Sequence, residues 1–278
     1  MAKLINNDDT LRQYLPNVFA TVKGEVSLFD KVKVDIDLAQ NWAVNTFTGE
    51  VLFSDICSRS ADDPLRILSA KLIVTEALRR AIPSLDVVLT PNGFGVVSNQ
   101  NIAPASKERV DRLIASLAVY RDDCIGNLLP ALVGASKWLT SSQASFFGET
   151  LFPDLAITDQ VKGNGSKWEK YLEHHSQVID LEASLAEEWL SPELMSALRS
   201  ENLRGDLTAK RSEIVRQVKA QVVGYLRSGS FNSRRLADIV NRIRENEDDF
   251  PEWHQSETSK LFAPPVFRNE KKSKGYWF

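Results

Sequence analysis

The sequence predicts a mainly α protein: a helical, bundle-like body with one small β-hairpin and an extended C-terminal arm. Three observations lead there. Apolar residues recur every three or four positions through most of residues 28–245. The period breaks at about 85–98, in a short β-branched run with a strong turn signal. From Asp248 the period stops, and prolines alternate with large apolar side chains.

Taken in order, Asp8, Asp9 and Thr10 precede Leu11, Tyr14 and Leu15, which reads as a short capped helix before Pro16. Leu28, Phe29, Val32, Ile36, Ala39, Ala43 and Phe47 hold helical spacing, with Gly49 as a stop. Pro64 opens a third helix that carries Ile67, Leu72, Leu78 and Ile82 and closes at Pro83. Val87-Val88-Leu89, then Thr90-Pro91-Asn92-Gly93, then Phe94-Gly95-Val96-Val97 give the hairpin. Ser106 caps the next helix, which runs to about Leu129, where Pro130 interrupts before a further helical stretch with Trp138. Residues 146–165 read as a connection with room for a short packed element. Helices then follow over about 166–189, 191–200, 206–226 and 233–245. No internal repeat of fixed period is visible.

The expected organisation is an N-terminal helical domain at 1–160, a helical subdomain at 161–248 and the arm at 249–278. The 278 residues are enough for one large domain or two modest ones. With 43% apolar and 26% charged residues, wholesale disorder and fibrous repeats are poor fits. No run nears the ~18 apolar residues of a membrane span, and the first residues lack a signal peptide's apolar stretch. A cytoplasmic product without membrane contact is expected. Cys57 and Cys124 lack metal or disulfide spacing.

Charge is segregated. Residues 149–202 carry eleven acidic and four basic side chains, net -7; residues 204–244 carry ten basic and three acidic, net +7. Three readings stand side by side: neutralisation between neighbouring helices, head-to-tail association of copies, and phosphate contacts. The basic face would comprise Arg211, Arg216, Lys219, Arg227, Arg234 and Arg235, and the phosphate reading adds Arg242 and Arg244.

Catalytic signals are scarce. His174 and His175 are adjacent, so on a helix they point about 100° apart and read as a solvated face. The triplets Gly93-Phe94-Gly95 and Gly163-Asn164-Gly165 lack the longer pattern of a phosphate loop and read as turns. No enzyme activity, metal or cofactor is expected. Trp42, Trp138, Trp168 and Trp189 sit in helical patterns as core residues. In the arm, Trp253, Phe262, Val266, Phe267, Tyr276, Trp277 and Phe278 need an apolar surface, on a neighbouring chain or on their own domain.

The stretch Val87-Val88-Leu89-Thr90-Pro91-Asn92-Gly93-Phe94-Gly95-Val96-Val97-Ser98-Asn99, continuing to Ala103-Pro104-Ala105-Ser106-Lys107-Glu108-Arg109-Val110, and the end Asn269-Glu270-Lys271-Lys272-Ser273-Lys274-Gly275-Tyr276-Trp277-Phe278 carry a resemblance. They resemble uncharacterised proteins encoded in structural gene clusters of Bacteroides phages and prophages. The resemblance covers about thirty-five residues and implies a virion component, a head–tail connector (adaptor). It implies a homo-oligomeric ring that meets portal and tail or neck proteins, with at most incidental DNA contact. The alternative is a nucleic-acid-binding or packaging-associated protein that uses the basic block 204–244.

Overall fold

The computed structural model describes residues 2–15, 26–85, 87–90, 93–96 and 106–263. It is mainly helical and divides into two compact units, residues 1–176 with 202–206, and 177–201 with 207–278. The boundary expected near residue 160 therefore falls inside the first unit.

The first unit opens with α1 (Asp8–Tyr14), capped by Asn7, whose side chain accepts from the Thr10 amide. Helix α2 (Leu28–Ala43) buries Val32, Ile36 and Ala39 and continues into a π-helical turn, Val44–Thr48. Gly49 follows at φ 69°, ψ 161°, a conformation that favours glycine, and α3 (Gly49–Ser58) starts there. Helix α4 (Pro64–Ala81) begins at the expected proline, with Asp63 accepting from the Arg66 amide. It is buried along most of its length, against α2 and α5 (Lys107–Val133).

Between α4 and α5, strands β1 (Val87–Thr90) and β2 (Gly93–Val96) pair antiparallel, with Val87 opposite Val96 and Thr90 opposite Gly93. Pro130 does not end α5, which runs on to Val133. The proline lies in the last turn, so its missing donor frees only one carbonyl, that of Gly126. Two short helices follow, α6 (Ser136–Leu139) and α7 (Ser142–Gly148). In the connection that follows them, a 3-10 turn at Leu155–Asp159 buries Leu155 and Ile157.

An aromatic cluster closes this unit. Phe47 stacks on Phe147 with ring centroids 5.9 Å apart, and Trp138 lies 6.2 Å from Phe147. The Trp138 indole donates to the Phe47 carbonyl at 2.6 Å. Trp168 and Tyr171 of α8 (Lys167–Leu185) join the cluster.

The second unit holds the end of α8, a π-helical turn at Ala186–Leu190, and α9 (Pro192–Arg204). Ser191, fully buried, sits between them at φ 70°, ψ 145°. Helix α10 (Ala209–Ser228) and α11 (Ser233–Arg244) bury Ile214, Val218, Val222, Leu236, Ile239 and Ile243.

The expected arm is corrected here. Residues 249–263 are not extended: α12 (Pro251–His254) and α13 (Glu257–Leu261) are helical turns within the second unit. Phe250 is 1% and Trp253 2% exposed. The prolines at 251 and 264 forbid a long helix but allow a short one, because a proline in the first turn lacks only a donor that would be free anyway.

Candidate functional site

The expected site residues fall into three groups. The first is the arm. Trp253 is buried in its own unit, with its indole donating to the Trp189 carbonyl at 3.0 Å. Phe262, half-buried, packs on Trp189 at 5.7 Å and Trp253 at 6.1 Å. Neither is an open anchor for another chain. Val266, Phe267, Tyr276, Trp277 and Phe278 lie outside the described residues.

The second group is Arg211 alone. Its expected place on an exposed basic face is corrected: it is 8% exposed and serves as a hub. One guanidinium nitrogen donates to Glu201 at 2.6 Å, another to Glu252 at 2.7 Å, and Nε to the Asp249 carbonyl at 2.9 Å. The guanidinium also lies 5.9 Å from the Phe250 ring centroid. Thr208 caps α10 by accepting from the Arg211 amide, which sets the start of the helix and hence the direction of the side chain. Charge from the acidic block thus meets charge from the basic block inside one unit, through Glu201.

The third group is exposed. Arg216, Arg227, Arg234 and Arg235 are on the surface, and Lys219 is half-buried. Arg216 pairs with Glu213, whose carboxyl is held below its ordinary value by hydrogen bonds from Arg216 and Gln217. Arg242 reaches the same carboxylate at 3.4 Å. The packing of α11 on α10 brings Arg242 beside Glu213.

Arg234 and Arg235 occupy the first turn of α11, whose N-cap Asn232 accepts from the Arg235 amide. That end of a helix carries partial positive charge, so cations there disfavour the helix by some tenths of a kcal/mol. Among the described residues they form no ion pair. Nothing in the fold of α11 calls for them. A groove of about 250 Å³ runs between α10 and α11, lined by Arg216, Gln217, Gln221, Arg235, Asp238 and Arg242 among others.

Other polar clusters are structural. Burial pushes the Glu76 carboxyl up, but hydrogen bonds from Arg79 and Arg80, with Arg121 nearby, outweigh it and hold it below the ordinary value. A cleft of about 470 Å³ is lined by Asp122, Asp154, Asp159 and Lys167. Three of its carboxylates have partners, Arg121 for Asp122, the Ala156 amide for Asp154 and Lys167 for Asp159, and Asp123 also lines it.

His175 is not on a solvated face. It is 8% exposed and stacked on Phe146 at 4.3 Å, and desolvation lowers its pKa. Burial raises the Cys124 thiol to about 11. Among the described residues no group of three or more His, Cys, Asp or Glu is placed to hold a metal ion, and no helix is long and apolar enough to cross a membrane.

A model for a family of unknown function (DUF6712) matches residues 18–148 and 207–263. No curated protein and no solved structure matches the chain.

Proposed function

We propose that this chain, which belongs to the DUF6712 family of unknown function, is a structural assembly protein of a phage virion: a head–tail connector or adaptor. In this reading it is made in the host cytoplasm and forms a ring at the junction of portal and tail. One observation carries the assembly role. The second unit exposes arginines on α10 and α11 (Arg216, Arg227, Arg234, Arg235, Arg242, Arg244) and carboxylates on α8, α9 and the turn between them (Asp180, Glu187, Glu188, Glu193). Opposite charges on different helices of one unit suit head-to-tail contact between copies, and such contacts close into rings. The placement of Arg234 and Arg235 against the helix dipole supports a role outside the fold. The virion setting rests on the resemblance of residues 87–110 and 269–278.

The test is the mass distribution of the full chain against salt. Oligomers that shrink as ionic strength rises are expected. Arg234→Glu with Arg235→Glu should disperse them, and adding Glu187→Arg with Glu188→Arg should restore them. A monomer at every salt concentration refutes the reading.

A second reading has its own observation: Arg216, Arg235 and Arg242 surround one groove beside Gln217 and Gln221. That arrangement suits phosphates with polar contacts between them. Duplex DNA binding that weakens steeply with salt, and is lost on Arg216→Glu, would favour it.

A further inference from the structure

Parts of the two units repeat each other at matched positions in hydrogen bonding, burial and backbone conformation. We infer that they are divergent copies of one helical module, carried twice in one chain.

The match is closest at the π-helical turns. Phe47 and Trp189 stand 142 positions apart, and each offers its carbonyl to an indole, that of Trp138 at 2.6 Å and of Trp253 at 3.0 Å. Two residues after each aromatic the backbone turns to positive φ, at Gly49 (69°) and Ser191 (70°), and a new helix begins. The same offset pairs Leu52 with Leu194 and Ile56 with Leu198, all buried, and Gln40 with Glu182, both buried polar groups.

The donor side repeats as well. Ser141 and Ser256, each three residues after its tryptophan, donate their hydroxyls to the tryptophan carbonyl, both at 2.6 Å. Each then caps the next helix by accepting from the Ala144 or Ser259 amide, both at 3.2 Å. Phe147 and Phe262 follow nine residues after the tryptophans. They lie 5.9 Å from Phe47 and 5.7 Å from Trp189, and 6.2 Å and 6.1 Å from their own tryptophans.

Between these ends, Asp63 and Thr208 cap α4 and α10 by accepting from Arg66 and Arg211 amides. At that offset of 145 residues the buried Glu76 pairs with the buried Gln221. Ile125, Leu128, Leu129 and Leu132 of α5 match Leu236, Ile239, Val240 and Ile243 of α11, an offset of 111.

Helical periodicity alone explains a repeating apolar spacing. It does not explain an indole bonded to the carbonyl two residues before a positive-φ residue, twice, with the same serine and phenylalanine behind it. The offset falls from 145 to 111 because residues 84–121, the link from α4 and the first turns of α5, stand in the first copy where the second has only 229–232. A search for a fixed period misses such a repeat.

The comparison also separates fold from surface. Arg234, Arg235 and Arg242 stand where the first copy has Asp123, Cys124 and Ala131. The module folds without those arginines, so they mark where the copies diverged.

The test exchanges a segment within the full chain, replacing residues 186–198 by the sequence of 44–56. The control inserts 45–57, one residue out of register, which turns the buried stripe by about 100°. The in-register exchange should keep the helical circular dichroism and one cooperative melt, with the midpoint lowered by about 10 °C or less. The shifted control should lose the transition. Equal tolerance of both exchanges overturns the inference. An experimental structure gives a second measurement if the exchange overpacks: residues 36–56, 64–78, 125–132 and 138–147 should superpose on 178–198, 209–223, 236–243 and 253–262, and any other register overturns it.

Discussion

The indole N–H of Trp253 donates to the backbone carbonyl of Trp189, 64 residues earlier, at 3.0 Å. The bond joins the last helical turns of the described chain to the start of the second unit's fold. It also satisfies a carbonyl that a π-helical turn leaves near its end, in a place where an unpaired buried acceptor would cost about 1–3 kcal/mol.

Trp253→Ala should therefore destabilise the fold by about 3–5 kcal/mol, rather than weakening association alone. Trp253→Phe should retain much of the packing and lose the hydrogen bond, at about 1–3 kcal/mol. Urea unfolding followed by circular dichroism measures both. An unchanged midpoint for the alanine variant would show that the ring is not part of the core.

Arg211 binds two carboxylates and a carbonyl from within the fold. Removing it leaves Glu201 and Glu252 without their partner. Arg211→Ala should cost about 3–5 kcal/mol. Arg211→Lys should recover only part of this, because an ammonium cannot span the same forked set of acceptors. Charge reversal of exposed Arg234 should behave oppositely: a glutamate there favours the α11 dipole, so the melting temperature should hold or rise slightly. Thermal melts of the three variants separate the hub from the surface.

His175 titrates below the ordinary histidine value because burial disfavours its charged form. With the folded pKa below the unfolded one, the unfolded chain binds the proton first as pH falls. The stability from neutral His175 is complete above about pH 6.5 and declines below it, through the folded pKa. Denaturation midpoints between pH 5 and 8 should show this slope, and His175→Phe should flatten it. A variant with the same slope would assign the proton elsewhere.

Ser191 holds φ 70°, ψ 145°, a region nearly reserved for glycine, while its hydroxyl accepts from the Leu194 amide at 3.2 Å. Two effects oppose each other there. Ser191→Ala loses the cap and keeps the strain, so it should destabilise by about 1 kcal/mol. Ser191→Gly loses the cap but relieves strain of about 1–3 kcal/mol, so it should be neutral or stabilising. Calorimetry of both variants checks the ordering, and alanine above glycine would contradict it.

Much of the helical fold was legible because apolar spacing and capping residues are local signals. Pro64 marked the start of α4, and Leu28, Val32, Ile36 and Ala39 marked the buried face of α2. The helix at 49–58 was missed, since Gly49 reads as a stop when its neighbours' conformation is not known. The tail misled for a related reason. Phe250 and Trp253 look like an arm between prolines, yet they are covered by Arg211, Trp189 and Phe262, partners that lie up to 64 residues away. Charge was legible: Arg234 and Arg235, in the basic block, are exposed. What sequence could not say is that Arg211, in the same block, is consumed internally, because that depends on Glu201 and Glu252 converging on it.

The Arg211 hub and the Trp253 bond also have a mechanical meaning. Tension applied to the chain beyond Ala263 would reach α13, then α12, and would meet the guanidinium clamp at residues 249–252 and the indole lock before it reached α11. The packed attachment at Trp253 would take the load first and the ionic one directly behind it next, so both must yield before the helices upstream are disturbed. A chain built in this way can be held by its end while the helices behind it stay in place.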